Sequence, residues 1–192
     1  QNLFRQPTNS PETTAQLELQ ENYRSAREIV AAINAILKLD PEDIPASPFA
    51  GESPALLTAE PAAQADAVHQ AIELFLEKGY SLSDITVLSY HGYASSALLN
   101  LEHIGPWRTR RFTGNYDQKG NQQYSDGELR LESLHRFKGL QSPAVVLAEI
   151  DFTELDDEAR RRLYVGMTRA KLALSLILTS AAMAALEKSL KN

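Results

Sequence analysis

The sequence predicts an α/β domain in which a parallel sheet is covered by helices on both faces. Three observations carry that expectation. Segments of strand character alternate with helical patterns of about ten to fifteen residues, the signature of strand–helix–strand crossovers. DITVLS at 84–89 and the apolar run at 144–150 are nearly continuous in apolarity, as strands buried on both faces must be. The 192 residues, 43% hydrophobic and 23% charged, suffice to bury the core of one such domain.

The first sixteen positions, rich in turn formers, read as an irregular lead-in, and LELQENYRS reads as a short strand entering a helix. Ser25 is the expected N-cap of that helix, with Glu28 completing a capping box and Ile29, Val30, Ile33, Ile36 and Leu37 forming its apolar face. A proline-punctuated linker leads to a strand at 55–58 and a helix at 62–78 that stops at Gly79. After the strand at 84–89, a helix is expected over 94–104, a strand over 108–113, and a polar loop over 114–127. Strands at 129–134 and 144–150, a helix at 156–169, a strand at 172–178 and a helix at 181–190 complete the chain.

Cysteine is absent, which excludes disulfides, thiolate metal sites and a cysteine nucleophile. The net charge of −6 argues against coating nucleic acid by bulk attraction, so any such contact must be local. Between Gly105 and Leu140 the balance reverses, with Arg108, Arg110, Arg111, Lys119, Arg130, Arg136 and Lys138 set against Asp117, Asp126, Glu128 and Glu132. No apolar run is long enough to span a bilayer and residues 1–10 lack a signal layout, so a cytoplasmic protein without membrane contact is expected.

No G-x-x-x-x-G-K-[ST] occurs, so the chain carries no phosphate-cradling loop of that type. VVLAEID at 145–151 resembles a magnesium-holding strand, but with no such loop beside them Glu149 and Asp151 read as ordinary strand-end acids and no metal site is expected. EARRRLYVGMTRAK at 158–171 is more telling. An arginine-rich helix runs straight into an apolar strand with Arg169 at the junction, where a planar, always-charged guanidinium could reach a phosphoryl group held by a neighbour. The bland alternative is a helix whose arginines pair with Asp156, Asp157 and Glu158.

YVGMTRAK resembles the sixth motif of the superfamily-one DNA helicases of the UvrD/Rep/PcrA type. LESLHRFKGLQSPAVVL at 131–147 resembles their fifth, LQENYRS at 19–25 their fourth, and QNLF at the start the end of their third. The resemblance implies a single RecA-like second motor domain over residues 1–192. It would close on a first RecA-like motor domain of the same protein, with ATP and Mg²⁺ held mainly by that partner and single-stranded DNA crossing the top. Residue by residue it implies Gln1 as γ-phosphate sensor, Tyr23 stacked on adenine, and Arg24 and Arg169 on the γ-phosphate, Arg169 as a finger across the cleft. Gly139 and Gln141 would lie beside the sugar, Ser133 and His135 on a DNA phosphate, and Phe4 beside a base.

The sequence departs from the family at Gln141, Ala159 and Arg162, which replace the usual Glu, Glu and Leu, and at Ser133, which keeps the hydroxyl of the usual Thr. Where UvrD and Rep insert an accessory domain, only the short loop at 114–127 is available, as in compact relatives. The chain starts inside what resembles the third motif, so it is expected to be the C-terminal piece of a helicase, inactive as an ATPase by itself. The competing expectation is a non-catalytic RecA-like module that binds protein or DNA. The fold is not expected to depend on the Arg169 side chain.

Overall fold

The computed structural model describes residues 24–39 and 47–191. Its main sheet has seven strands: β1 Ala55–Thr58, β2 Ile85–Ser89, β3 His103–Ile104, β4 Trp107–Arg110, β7 Leu129–Ser133, β8 Ser142–Ile150 and β9 Ala170–Leu178. Strands β5 Phe112–Tyr116 and β6 Gln122–Tyr124 form a separate hairpin. The spatial order is β1-β9-β8-β2-β7-β4-β3, parallel throughout except for β3, which pairs antiparallel with β4 at the edge. This is the α/β RecA-like architecture expected.

Alternation along the central strands divides the core. Leu88, Val145, Leu147, Leu174 and Leu176 face α1 Arg27–Leu37, α3 Asp157–Met167 and α4 Ser180–Lys191. Ile85, Val87, Val146, Ala148 and Ile177 face α2 Gln64–Glu77 and the segment around Leu98 and Leu99. β8 is buried along almost its whole length, as a strand covered on both faces must be, which is why its sequence reads as an uninterrupted apolar run. Gly166 lets α3 close on the sheet: a Cβ there would lie 2.5 Å from a Leu147 methyl carbon.

Four local expectations are corrected. Ser25 does not cap α1. The N-cap is Ala26, the Ser25 hydroxyl donates to the Ala170 carbonyl at 2.7 Å, and Glu28 accepts from the Gly51 amide at 2.6 Å. Tertiary partners on β9 and the linker outcompete the local capping box. The expected strand over 108–113 is broken at Arg111 into β4 and β5, and the polar stretch at 114–127 contains most of the β5–β6 hairpin.

Residues 94–104 form turns and the short β3 rather than a helix. Glu149 explains that departure. Its carboxylate accepts from the amides of Ala97 and Leu98 at 2.7 and 3.3 Å, while the Ser96 hydroxyl accepts from the amides of Leu98 and Leu99. A helix needs those N–H groups for its own carbonyls.

Candidate functional site

Two of the residues assigned to the nucleotide, Gln1 and Tyr23, and one assigned to DNA, Phe4, lie outside the described residues. The other four nucleotide residues come from one neighbourhood at the junction of α3, β9 and the turn before β8. The side-chain amide of Gln141 donates to the Arg24 carbonyl at 3.2 Å and to the Thr168 carbonyl at 3.0 Å. Gly139 lies two residues earlier in the exposed turn, at φ +86, a conformation in which a side chain would be strained.

Arg169 is held firmly. Its Nε donates to the Val165 carbonyl at 2.9 Å, Nη1 to the Leu140 carbonyl at 3.2 Å and Nη2 to the Thr168 hydroxyl at 3.1 Å. A guanidinium has five N–H groups, so these bonds leave one on each terminal nitrogen. Burial and then the positive charge of Arg24 lower its pKa from the ordinary arginine value. The two guanidinium groups therefore share one neighbourhood, and that of Arg169 is anchored to neutral acceptors. The expectation that the fold is indifferent to Arg169 is therefore revised, since its side chain ties α3 to the turn before β8.

A cleft of about 510 Å³ opens at the carboxyl ends of β2 and β7, where ligands of parallel α/β sheets bind. His91, His135, Lys138, Arg161, Arg162 and Arg169 contribute to its wall, and none of the residues lining it is acidic. Arg162 donates to the Tyr90 carbonyl and lies 4.0 Å over the Tyr90 ring. Arg160 faces away from the cleft, bonding the carbonyls of Leu155 and Leu37 and the Ser189 hydroxyl, so it fastens α3 to α1 and α4. Among the described residues no ion pair involves an arginine of α3, so the alternative of arginines paired with neighbouring acids does not hold.

His135 and Ser133 share a turn but differ in exposure. His135 is exposed at the cleft, whereas Ser133 is buried and its hydroxyl accepts from the Arg136 amide at 3.3 Å. Ser133 thus builds the turn that presents His135.

Glu149, which reads in the sequence as an ordinary strand-end acid, organises one side of the cleft. It is buried, has φ +60, and accepts from the hydroxyls of Ser89 and Ser96 as well as the amides already named. Its own amide donates to the Gln64 side chain at 2.9 Å. Because Ser89 in turn accepts from the His91 amide at 3.0 Å, Glu149 supports one wall of the cleft from behind. Nothing in linear order joins Gln64, Ser89, Ser96 and Glu149. The described residues contain no cluster of three or more His, Cys, Asp or Glu able to hold a metal, and no helix long and apolar enough to cross a membrane.

Residues 128–177 match the family model of the UvrD-like helicase C-terminal domain. That span contains β7, the His135 turn, β8, α3 and most of β9. Among solved structures the chain resembles the C-terminal domain of a possible DNA helicase from Lactobacillus plantarum WCFS1. The TM-score is 0.58 at 18% identity, over 88% of this chain and 96% of that one, a likeness of fold. No curated protein matches the sequence. Residues 128–177 are thus similar to the UvrD-like helicase C-terminal domain, and the fold of the chain agrees with that likeness.

Proposed function

We propose that this domain completes an ATP site from across an interdomain cleft and holds single-stranded DNA at the carboxyl end of its sheet, as the second motor of an ATP-dependent helicase. The observation that carries the reading is the convergence of Arg24, Gln141 and Arg169 from three segments joined by the Gln141 amide, with Arg24 close enough for its charge to act on Arg169. Arg169 is pre-oriented by neutral acceptors, so it can stabilise charge on a transferring phosphoryl group without reorganising. Magnesium and the phosphate loop are assigned to the first RecA-like motor domain, because this sequence has no such loop and the described residues hold no carboxylate cluster. His135 and Lys138, on the cleft wall, are assigned to DNA phosphate, with Ser133 shaping their turn.

DNA-stimulated ATP hydrolysis by the intact protein tests the reading. Arg169→Lys should lower turnover nearly as far as Arg169→Ala, on the order of 10³-fold or more, because an ammonium cannot reproduce the planar fork. Unchanged turnover in both variants would remove the arginine-finger assignment, and an intact protein without DNA-stimulated hydrolysis would leave a non-catalytic binding module as the better description.

A further inference from the structure

We propose that the β5–β6 hairpin is a stacking platform for unpaired bases of single-stranded DNA, extending the strand's path beyond His135. This rests on the reading above for the class of ligand, but on different residues for the site. Phe112 lies at the centre of an aromatic group, with ring centroids 5.5 Å from Tyr116, 6.2 Å from Tyr124 and 6.0 Å from Tyr93. Tyr116 is 56% exposed, far more than a ring serving only the core. Cations lie against the same group: the Arg136 guanidinium is 3.6 Å from the Phe112 centroid and that of Arg110 is 5.6 Å from the Tyr124 centroid. Aromatic faces interleaved with arginines suit a base-and-phosphate chain, since every base has a face to stack and every link a negative charge.

Position and charge support the same occupant. β4 runs parallel to β7, so the chain leaving β4 enters the hairpin at the end of the sheet where β7 delivers the His135 turn. Arg136 joins the two structures, for it belongs to that turn and packs under Phe112 while pairing with Glu132 at 3.4 Å. Three of the four acids between 105 and 140 are engaged within the fold. Glu132 is buried with Arg136, Glu128 accepts from the Arg108 amide, and Asp117 accepts from the Lys119 and Asn121 amides at the hairpin tip. Arg108 and Arg110 remain exposed in a chain of net charge −6, so a polyanion would be drawn to this locality rather than to the surface at large.

The test uses the intact protein, a fluorescein-labelled oligothymidylate followed by anisotropy, and a matching oligonucleotide carrying 5-iododeoxyuridine for photocrosslinking. Tyr116→Ala should weaken binding by about fivefold or more, Tyr116→Phe should restore it, and the crosslink should map to the 112–124 segment. Tyr116 is exposed but its ring packs on Phe112 and its hydroxyl reaches Arg136, so melting curves accompany the binding data, and unchanged curves for both variants show that the loss of binding is not a loss of fold. If Tyr116→Ala binds like the parent and crosslinks map elsewhere while His135→Ala weakens binding, the platform is overturned and the helicase reading stands. If the parent protein does not bind the oligonucleotide, both fall.

Discussion

Gln141 donates its side-chain amide to the Arg24 carbonyl, joining residues 117 positions apart. The same nitrogen reaches the Thr168 carbonyl, so one amide ties the approach to α1 to the end of α3. A carboxylate at this position could accept but not donate, and would set its charge against two carbonyl oxygens. Gln141→Glu and Gln141→Ala should each destabilise the chain by about 1 kcal/mol, a fall of roughly 2–4 °C in Tm for a chain of this size. Thermal melts of the two variants check this, and unaltered values would mean that water replaces the amide.

Glu149 should prove one of the most sensitive polar side chains of the sheet. Glu149→Ala removes the acceptor for two amides and two serine hydroxyls in a buried setting, and should cost about 3 kcal/mol or more. Glu149→Gln keeps one acceptor oxygen for the amides, while the hydroxyls can rotate to receive its N–H groups, so about half of that loss should be recovered. Urea unfolding would show the order. Equal losses in both variants would mean that the negative charge, rather than the count of hydrogen bonds, holds residues 96–98.

How far the fold could be read depended on where each segment's hydrogen bonds ended. β2, β8 and α3 declared themselves because burial on two faces, or a helical period with Asp156 as N-cap, is written into consecutive residues. Residues 94–104 misled because Ser96 and the amides beside it bond to Glu149, some fifty positions away, a partner that no local pattern reveals. The Ser25 box failed for the same reason, through Ala170 and Gly51. Of the candidate site, the motifs were legible, and two of their residues, Arg169 and Gln141, fall in one neighbourhood. The hairpin was not, since its aromatic residues are spaced like loop residues until Phe112 and Tyr124 pair.

Alkaline conditions should destabilise the domain through Tyr90 and Tyr93. Burial pushes both hydroxyls up to about 12 from an ordinary value of 10.0, with nearby carboxylates, chiefly Asp151 for Tyr90 and Glu132 for Tyr93, acting in the same direction. Their folded pKa values exceed the unfolded ones, so the contribution is complete below about pH 10 and is lost as pH rises toward 12, the unfolded chain ionising first. Urea midpoints across that window should fall, and Tyr90→Phe should make the fall shallower. The Tyr90 hydroxyl reaches the Ala159 carbonyl only at 3.5 Å, so that variant should match the parent at neutral pH. An identical alkaline slope in Tyr90→Phe would show that other groups govern it.

Mutation should separate His135 from Ser133, two residues to which the family resemblance gives one role. Ser133 is 2% exposed and its hydroxyl accepts the Arg136 amide at the start of the turn, so Ser133→Ala should lower stability by about 1 kcal/mol. Any loss of DNA response would then follow from a loosened turn. His135 is exposed on the cleft wall, so His135→Ala should melt like the parent. If the imidazole meets a DNA phosphate, its removal weakens the grip on the strand without touching Arg169 or Arg24. ATP hydrolysis by the intact protein without DNA should then persist, while the rate at limiting oligothymidylate falls and a higher concentration is needed for half-maximal stimulation. The deficit should also narrow as salt is raised, because a phosphate contact is electrostatic and screened in the parent as well. Hydrolysis rates with and without oligonucleotide, at low and high salt, supply the comparison. Equal proportional losses with and without DNA would place His135 among the residues that shape the cleft rather than those that hold the strand.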